Sequence, residues 1–292
     1  MTRVAVVGVG NMGLGIALRL RDQGHDVTVR DIDPAREALA LAGGCTVSAS
    51  PAAAATGREL VIVVVVDAAQ TRDVLFGSDG AAAQLARGST VVLCPTIAPA
   101  DVESCARQLA ALGLDTIDAP MSGGPVRARE GRMSLMVAAA DPVWTRWQPL
   151  LAQMADPLFR VGARLGDGAR TKLVNNLLGA INLAGAAEAL ALAVRMGLDP
   201  ARTLEVVERS SGQSWVGSDR LRRALAGETA PLAHMTLLAK DSKLALAEAR
   251  RIGAVADVGA AAAERFALAL QAGLAGADDS ALYAWLRDLP PR

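Results

Sequence analysis

One lysine and three asparagines share a stripe on an otherwise apolar stretch, residues 166–197. If the stretch is helical, Lys172, Asn175, Asn176 and Asn182 stand at i, i+3, i+4 and i+10, on the same face as Gly179. Between Leu173 and Val194 the only charged residue is Glu188, and a helix apolar nearly all round is expected to be buried. Lys and Asn are poor core fillers, because burying them unpaired is costly. Two readings fit: an amphipathic helix with a narrow wet face, or a buried helix carrying a working polar stripe. Composition bears on the choice. Of 30 basic residues only three are lysines, Lys172, Lys240 and Lys243. Arginine stays protonated in proteins, whereas a lysine amine shifts its pKa on burial and exchanges a proton. A chain that writes positive charge as arginine and keeps Lys172 points to a place where the amine itself is used.

A second chemical motif opens the chain. The apolar, β-branched run at residues 3–7 leads straight into Gly8-Val9-Gly10-Asn11-Met12-Gly13 and then a helical pattern. Gly8 permits a tight turn, Gly10 lets backbone approach a pyrophosphate, and Gly13 lets helix pack close to strand; the helix N-terminus supplies free N–H groups. A second strand ends at Asp31, 21 residues after Gly10 and in the place of a ribose-binding acid. Asp31 should accept from the adenosine ribose hydroxyls and repel a 2′-phosphate, favouring NAD over NADP, with Arg30 and Arg36 close enough to soften that preference.

These residues need a scaffold, and the alternation supplies it. Residues 60–66 and 89–93 read as further strands, each followed by a helix, so Val66, Asp67 and Thr96 fall beyond strand ends, on the nicotinamide side of an open α/β sheet. Residues 114–117 lead into Asp118-Ala119-Pro120-Met121-Ser122-Gly123-Gly124-Pro125, either a plain tight loop or a turn whose N–H groups face an anion. Residues 133–139 and 157–161 are strands around a helix in which Trp144 and Trp147 read as core. Beyond residue 166 no strand pattern recurs. The expected fold is α/β: a Rossmann-type doubly wound sheet in residues 1–163, then an all-α domain in residues 164–292, linked by the long helix. Lys240, after an apolar run, reads on its own as a snorkelling surface lysine.

Equal numbers of acidic and basic residues, 30 each, give no electrostatic case for nucleic acid or an anionic membrane. Three cysteines, with no metal or redox spacing, indicate neither disulfides nor a metal site, Cys94 reading as a buried inert thiol. The N-terminus runs directly into a strand without a signal-peptide pattern, so a cytoplasmic protein is expected. The Ala- and Gly-rich helical half suggests close packing between subunits, hence a homodimer or homotetramer.

Three segments, GVGNMG (8–13), DAPMSGGPVRAREGRM (118–133) and GDGARTKLVNN (166–176), resemble the β-hydroxyacid dehydrogenase family, the 3-hydroxyisobutyrate dehydrogenases and their relatives. KDSKLAL (240–246) is similar to that family's fourth motif, and the likeness spans essentially the whole chain. DAAQTRDVLFG, PTIAPAD and GQSWVGSDR look most like the branch that oxidises L-threonate, a four-carbon sugar acid, at its 2-hydroxyl. The resemblance implies Lys172 as the catalytic acid/base, with Asn176 one turn on holding amine and substrate hydroxyl in register. It implies that Ser122, Gly123 and Gly124 grip the substrate carboxylate. Met12 and Thr96 would then line the nicotinamide, and Lys240 would close over cofactor and substrate. Apolar surroundings and the positive end of the long helix would lower the Lys172 pKa, against the pull of the substrate carboxylate. Alternatives are a 3-hydroxyisobutyrate dehydrogenase, a tartronate semialdehyde reductase or, from another class, a non-catalytic dinucleotide-binding module. Asn175 stands where a 6-phosphogluconate dehydrogenase would have His, and Lys172 itself argues against an imine reductase.

Overall fold

The computed structural model describes residues 1–290; residues 291 and 292, the end of the expected helical domain, lie outside the described residues. The chain divides into two compact units, Met1–Lys172 and Leu173–Arg292.

The first unit is built on a sheet of β1 (Arg3–Val7), β2 (Asp26–Arg30), β3 (Thr46–Val47), β4 (Leu60–Val63), β5 (Thr90–Leu93), β6 (Asp115–Asp118), β7 (Met121–Ser122), β8 (Met133–Ala138) and β9 (Ala155–Gly162). Strands β3-β2-β1-β4-β5-β6 run parallel in that order, as a doubly wound sheet requires. The sheet then turns mixed: β8 pairs antiparallel with β6 and β7, and β9 pairs parallel with β8. Helices cover both faces, so the parallel strands are buried on both sides and read as continuous apolar runs. Their side chains still alternate. Val4, Val6, Leu60 and Ile62 pack with Ile16 and Leu20 on one face. Ala5, Val7, Val61 and Val63 pack with Leu75, Val102 and Leu109 on the other. β4 stops at Val63, three residues short of the apolar run's end, which frees residues 64–66 to form the loop beside the glycine turn.

Trp147 is core, as its spacing suggested: it is buried and its indole N–H donates to Thr90 Oγ1 at 2.8 Å. Cys45, Cys94 and Cys105 are buried free thiols, and burial pushes the Cys94 thiol well above its ordinary value, with the nearby Asp118 acting in the same direction.

The long helix runs Asp167–Arg195. In the second unit its residues Ala180, Leu183, Ala187, Leu190 and Ala191 pack against Leu204, Leu221, Phe266, Leu282 and Tyr283 from the helices Pro200–Glu208, Trp215–Leu225, Asp257–Gln271 and Ala281–Asp288. The expectation that this helix is buried all round needs correcting. Val174, Leu178 and Leu192 are 71%, 56% and 57% exposed, because the surrounding helices of a single chain cover only one side. The helix is also long and apolar enough to cross a membrane, a property that the core helix of a globular protein shares. Two acids at the end of a loop tie the second unit together: Asp278 pairs with Arg223 at 3.2 Å and Asp279 with Arg220 at 2.6 Å, both carboxylates buried.

Candidate active site

The glycine turn follows β1. Gly8 has φ +92°, a left-handed conformation that glycine adopts without strain. A Cβ on Gly8 would lie 2.3 Å from the Val64 carbonyl oxygen, and one on Gly13 would lie 1.9 Å from the Gly8 oxygen. Neither position admits a side chain. Gly10 differs, with nothing within 4 Å of where its Cβ would stand. The helix Asn11–Asp22 behind it has no side-chain cap and no acid in its first turn. A pyrophosphate fits this feature: open space at Gly10 and N–H groups of Asn11, Met12 and Gly13 that no side chain caps.

Asp31, beyond β2, braces this turn. Its Oδ2 accepts from the Val9 N–H at 2.6 Å and its Oδ1 from the Asp33 N–H at 2.9 Å. Arg36 donates to Asn11 Oδ1 at 2.9 Å, linking the same turn to the next helix. Beyond β4, Val66 is half exposed, while the Asp67 carboxylate caps the helix Ala68–Phe76 by accepting from Gln70 N–H at 2.9 Å. Thr96 lies beyond β5 and is partly exposed. The glycine turn, Val66, Asp67, Thr96 and Ser122 thus all follow carboxyl ends of strands that run the same way.

Ser122 lies on β7, paired with Ser134 of β8. Gly123 and Gly124 take φ +129° and +79°, so the turn after Ser122 is one that only glycine makes readily. A short helix follows, Gly124–Glu130, where the sequence reading had only a turn.

Lys172 is buried, 7% exposed, two turns or less from the start of the long helix. What fixes that start is Asp118, at the end of β6. Its Oδ2 accepts from Gly166 N–H at 2.9 Å and Ala169 N–H at 3.1 Å, satisfying donors that a helix N-terminus leaves over. Gly168 lets the helix come this close, since a Cβ there would stand 2.7 Å from the Met136 carbonyl oxygen and 2.9 Å from Asp118. Burial pushes the Asp118 carboxyl up to about 6, against the pull of the Ala169, Gly166 and Gly168 amides, and the nearby Asp167 adds to the rise. Sequence reading passed over Asp118. The available signal was a single acid ending a buried strand just before Ser-Gly-Gly.

In the second unit Asn176 donates from Nδ2 to Asp241 Oδ2 at 2.6 Å, and Lys240 Nζ donates to Asp241 Oδ1 at 2.7 Å. Asp241 is 5% exposed. The structure thus draws Asn176 and Lys240 onto one buried carboxylate that sequence reading had not assigned. Lys240 is half-buried on the helix Met235–Arg251, in an ion pair rather than reaching freely for solvent. Asn175 is exposed and donates to Asn176 Oδ1 at 3.1 Å. Among the described residues no group of three or more His, Cys, Asp or Glu side chains gathers as metal ligands do.

Fold and motifs define a Rossmann-type oxidoreductase that takes a nicotinamide dinucleotide. Residues 3–162 match the family described as the NAD binding domain of 6-phosphogluconate dehydrogenase, and residues 166–286 that described as NAD-binding of NADP-dependent 3-hydroxyisobutyrate dehydrogenase. The chain is 38% identical over 280 residues to an L-threonate dehydrogenase of Cupriavidus necator, covering 96% of this chain and 94% of that one. It is 36% identical to a 3-hydroxyisobutyrate dehydrogenase of Pseudomonas aeruginosa, covering 93% of each. The crystal structure of a 3-hydroxyisobutyrate dehydrogenase from Salmonella typhimurium superposes with TM-score 0.91 at 33% identity, covering 98% of this chain and 100% of that one. The chain belongs to the 3-hydroxyisobutyrate dehydrogenase-like family of dehydrogenases.

Proposed function

We propose that the protein is an NAD-dependent dehydrogenase of small hydroxy acids, acting on a four-carbon sugar acid of the L-threonate type at its 2-hydroxyl. The observation that carries this is Lys172, a buried amine whose helix is tied by Asp118 to the end of β6, in the same compact unit as the glycine turn. When bound, the nicotinamide ring supplies the acceptor for the hydride leaving the carbinol carbon. The work left to the chain is binding, orientation and one proton. Lys172 takes the hydroxyl proton, and returns it in the reverse direction, as a general base and acid. Asn176, one helical turn on, orients the amine and the hydroxyl. Ser122 and the N–H groups of Gly123 and Gly124 hold the substrate carboxylate, and Lys240 adds a positive charge toward substrate and cofactor.

The lean toward L-threonate rests on the 38% identity to the Cupriavidus necator enzyme. The 36% identity to the Pseudomonas aeruginosa enzyme supports 3-hydroxyisobutyrate as the second reading. We assign residues 1–163 to cofactor binding and 164–292 to substrate binding and subunit contact. The uncovered apolar side of the long helix, with Val174, Leu178 and Leu192 exposed, supports a homodimer or homotetramer. A cytoplasmic location follows from the reaction's need for the intracellular NAD pool. The test is NAD reduction at 340 nm with L-threonate, erythronate, 3-hydroxyisobutyrate and glycerate, and NADH oxidation with tartronate semialdehyde. Highest kcat/KM on L-threonate supports the assignment, and turnover of 3-hydroxyisobutyrate alone replaces it with the second reading.

A further inference from the structure

Two arginines, Arg30 and Arg36, lie within a few residues of the ribose-binding acid Asp31. Guanidinium groups recognise phosphate well, so from their positions alone either would be expected to admit the 2′-phosphate of NADP. The structure gives both arginines other partners. Arg30 Nη1 donates to Glu37 Oε1 at 2.8 Å, and the two side chains are only 27% and 15% exposed. The same Glu37 oxygen accepts from the Asp31 N–H at 3.0 Å. One carboxylate oxygen therefore joins the guanidinium to the backbone of the residue that meets the ribose. Arg36 is held by Asn11 of the glycine turn.

Glu37 is itself well fixed. It lies in the first turn of the helix Pro34–Ala42, which Asp33 caps by accepting from Ala35 N–H at 2.9 Å. A carboxylate there is favoured by the helix dipole. A 2′-phosphate placed at Asp31 would meet two carboxylates, Asp31 and Glu37, while the Arg30 guanidinium is already neutralised by Glu37. Discrimination of this kind works through repulsion and withheld charge as much as through attraction.

We propose that Glu37 is a specificity-determining residue for the cofactor: by holding Arg30 it withholds a positive charge from a 2′-phosphate and sets the preference for NAD over NADP. The inference rests on the dinucleotide reading of the glycine turn, and deepens it. Glu37→Gln keeps an oxygen to accept from the Asp31 amide and removes the charge that engages Arg30.

The test is direct binding to the full-length protein, by calorimetry with NAD and with NADP, without any hydroxy acid. In Glu37→Gln, NADP binding tightens about threefold to tenfold while NAD binding stays within about twofold. In an Arg30→Ala background the same Glu37→Gln change tightens NADP by less than about twofold, because the released guanidinium is no longer there. An unchanged NADP-to-NAD ratio in Glu37→Gln overturns the proposal, as does an equal gain in the Arg30→Ala background. Wild-type protein that binds neither nucleotide overturns the dinucleotide reading as well, a result distinct from failure of Glu37 alone.

Discussion

Asn176 and Asp241, 65 residues apart in the chain, are joined by a 2.6 Å hydrogen bond from the amide Nδ2 to a carboxylate oxygen that is nearly inaccessible. The other oxygen of Asp241 holds Lys240. A single acid therefore sets the orientation of an amide and the place of an amine, both with proposed roles at the substrate. Losing a hydrogen bond to a charged group costs about 1.5–3 kcal/mol. Asp241→Ala should accordingly lower kcat/KM by about tenfold to a hundredfold. Circular dichroism should show unchanged helix content, and steady-state kinetics equal to wild type would assign Asp241 to structure alone.

Lys172 is proposed to move a proton, which separates it from a residue that only attracts the substrate carboxylate. Lys172→Ala should lower kcat by about 10²–10⁴, the usual range for losing a general base. Lys172→Arg keeps the charge and cannot exchange the proton, so its kcat should fall as far. NAD affinity, read by calorimetry, should stay within about twofold in both. Recovery of turnover in the arginine variant would make charge, not proton transfer, the function of this position.

Asp118 makes a pH prediction whose sign is fixed by its burial. Its carboxyl is pushed up to about 6 in the folded protein from an ordinary 3.8. The fold therefore favours the protonated form: the stability this contributes is complete below pH 3.8 and is lost as pH rises through about 6. Asp279, raised to about 6 chiefly by burial, acts in the same direction, so the comparison is with a variant rather than with pH alone. Asp118→Asn retains an oxygen for the Gly166 and Ala169 amides and does not ionise. Its melting temperature relative to wild type should climb between pH 4 and pH 7.5, measured by calorimetry. A difference that is flat or falls with pH rules out a raised Asp118 pKa.

The uncovered side of the long helix predicts association. Leu192 and Met196, 57% and 68% exposed, lie toward the helix end away from Lys172. Replacing both with Glu should convert the proposed homodimer or homotetramer to a single 30.0 kDa chain in light scattering. Burying two unpaired carboxylates in an apolar contact is too unfavourable for it to persist. An unchanged assembly mass would place the subunit contact elsewhere.

Much of the first unit is legible in residue order, because residue type and apolar runs record its constraints even where the partner is a neighbouring strand. Gly8 and Gly13 are required by atoms a few residues or one strand away, and the apolar runs of β1, β4 and β5 reflect burial on both faces of a parallel sheet. Lys172 stood out for a chemical reason, the near absence of lysine in a chain with 30 basic residues. The short helix Gly124–Glu130 was missed because Gly-Gly-Pro reads as a turn, whereas Pro125 stands within the first two helical positions, where proline is tolerated.

What only the tertiary structure decided is which partner each charged group takes. Asp118 meets amides 48 and 51 residues further on, and Asp241 meets an asparagine 65 residues back. No local pattern encodes pairs at such separations; they exist only once strands and helices have docked. The same holds for the long helix. Its sequence states that nearly every side is apolar, but which side the chain covers and which it leaves exposed is settled by packing.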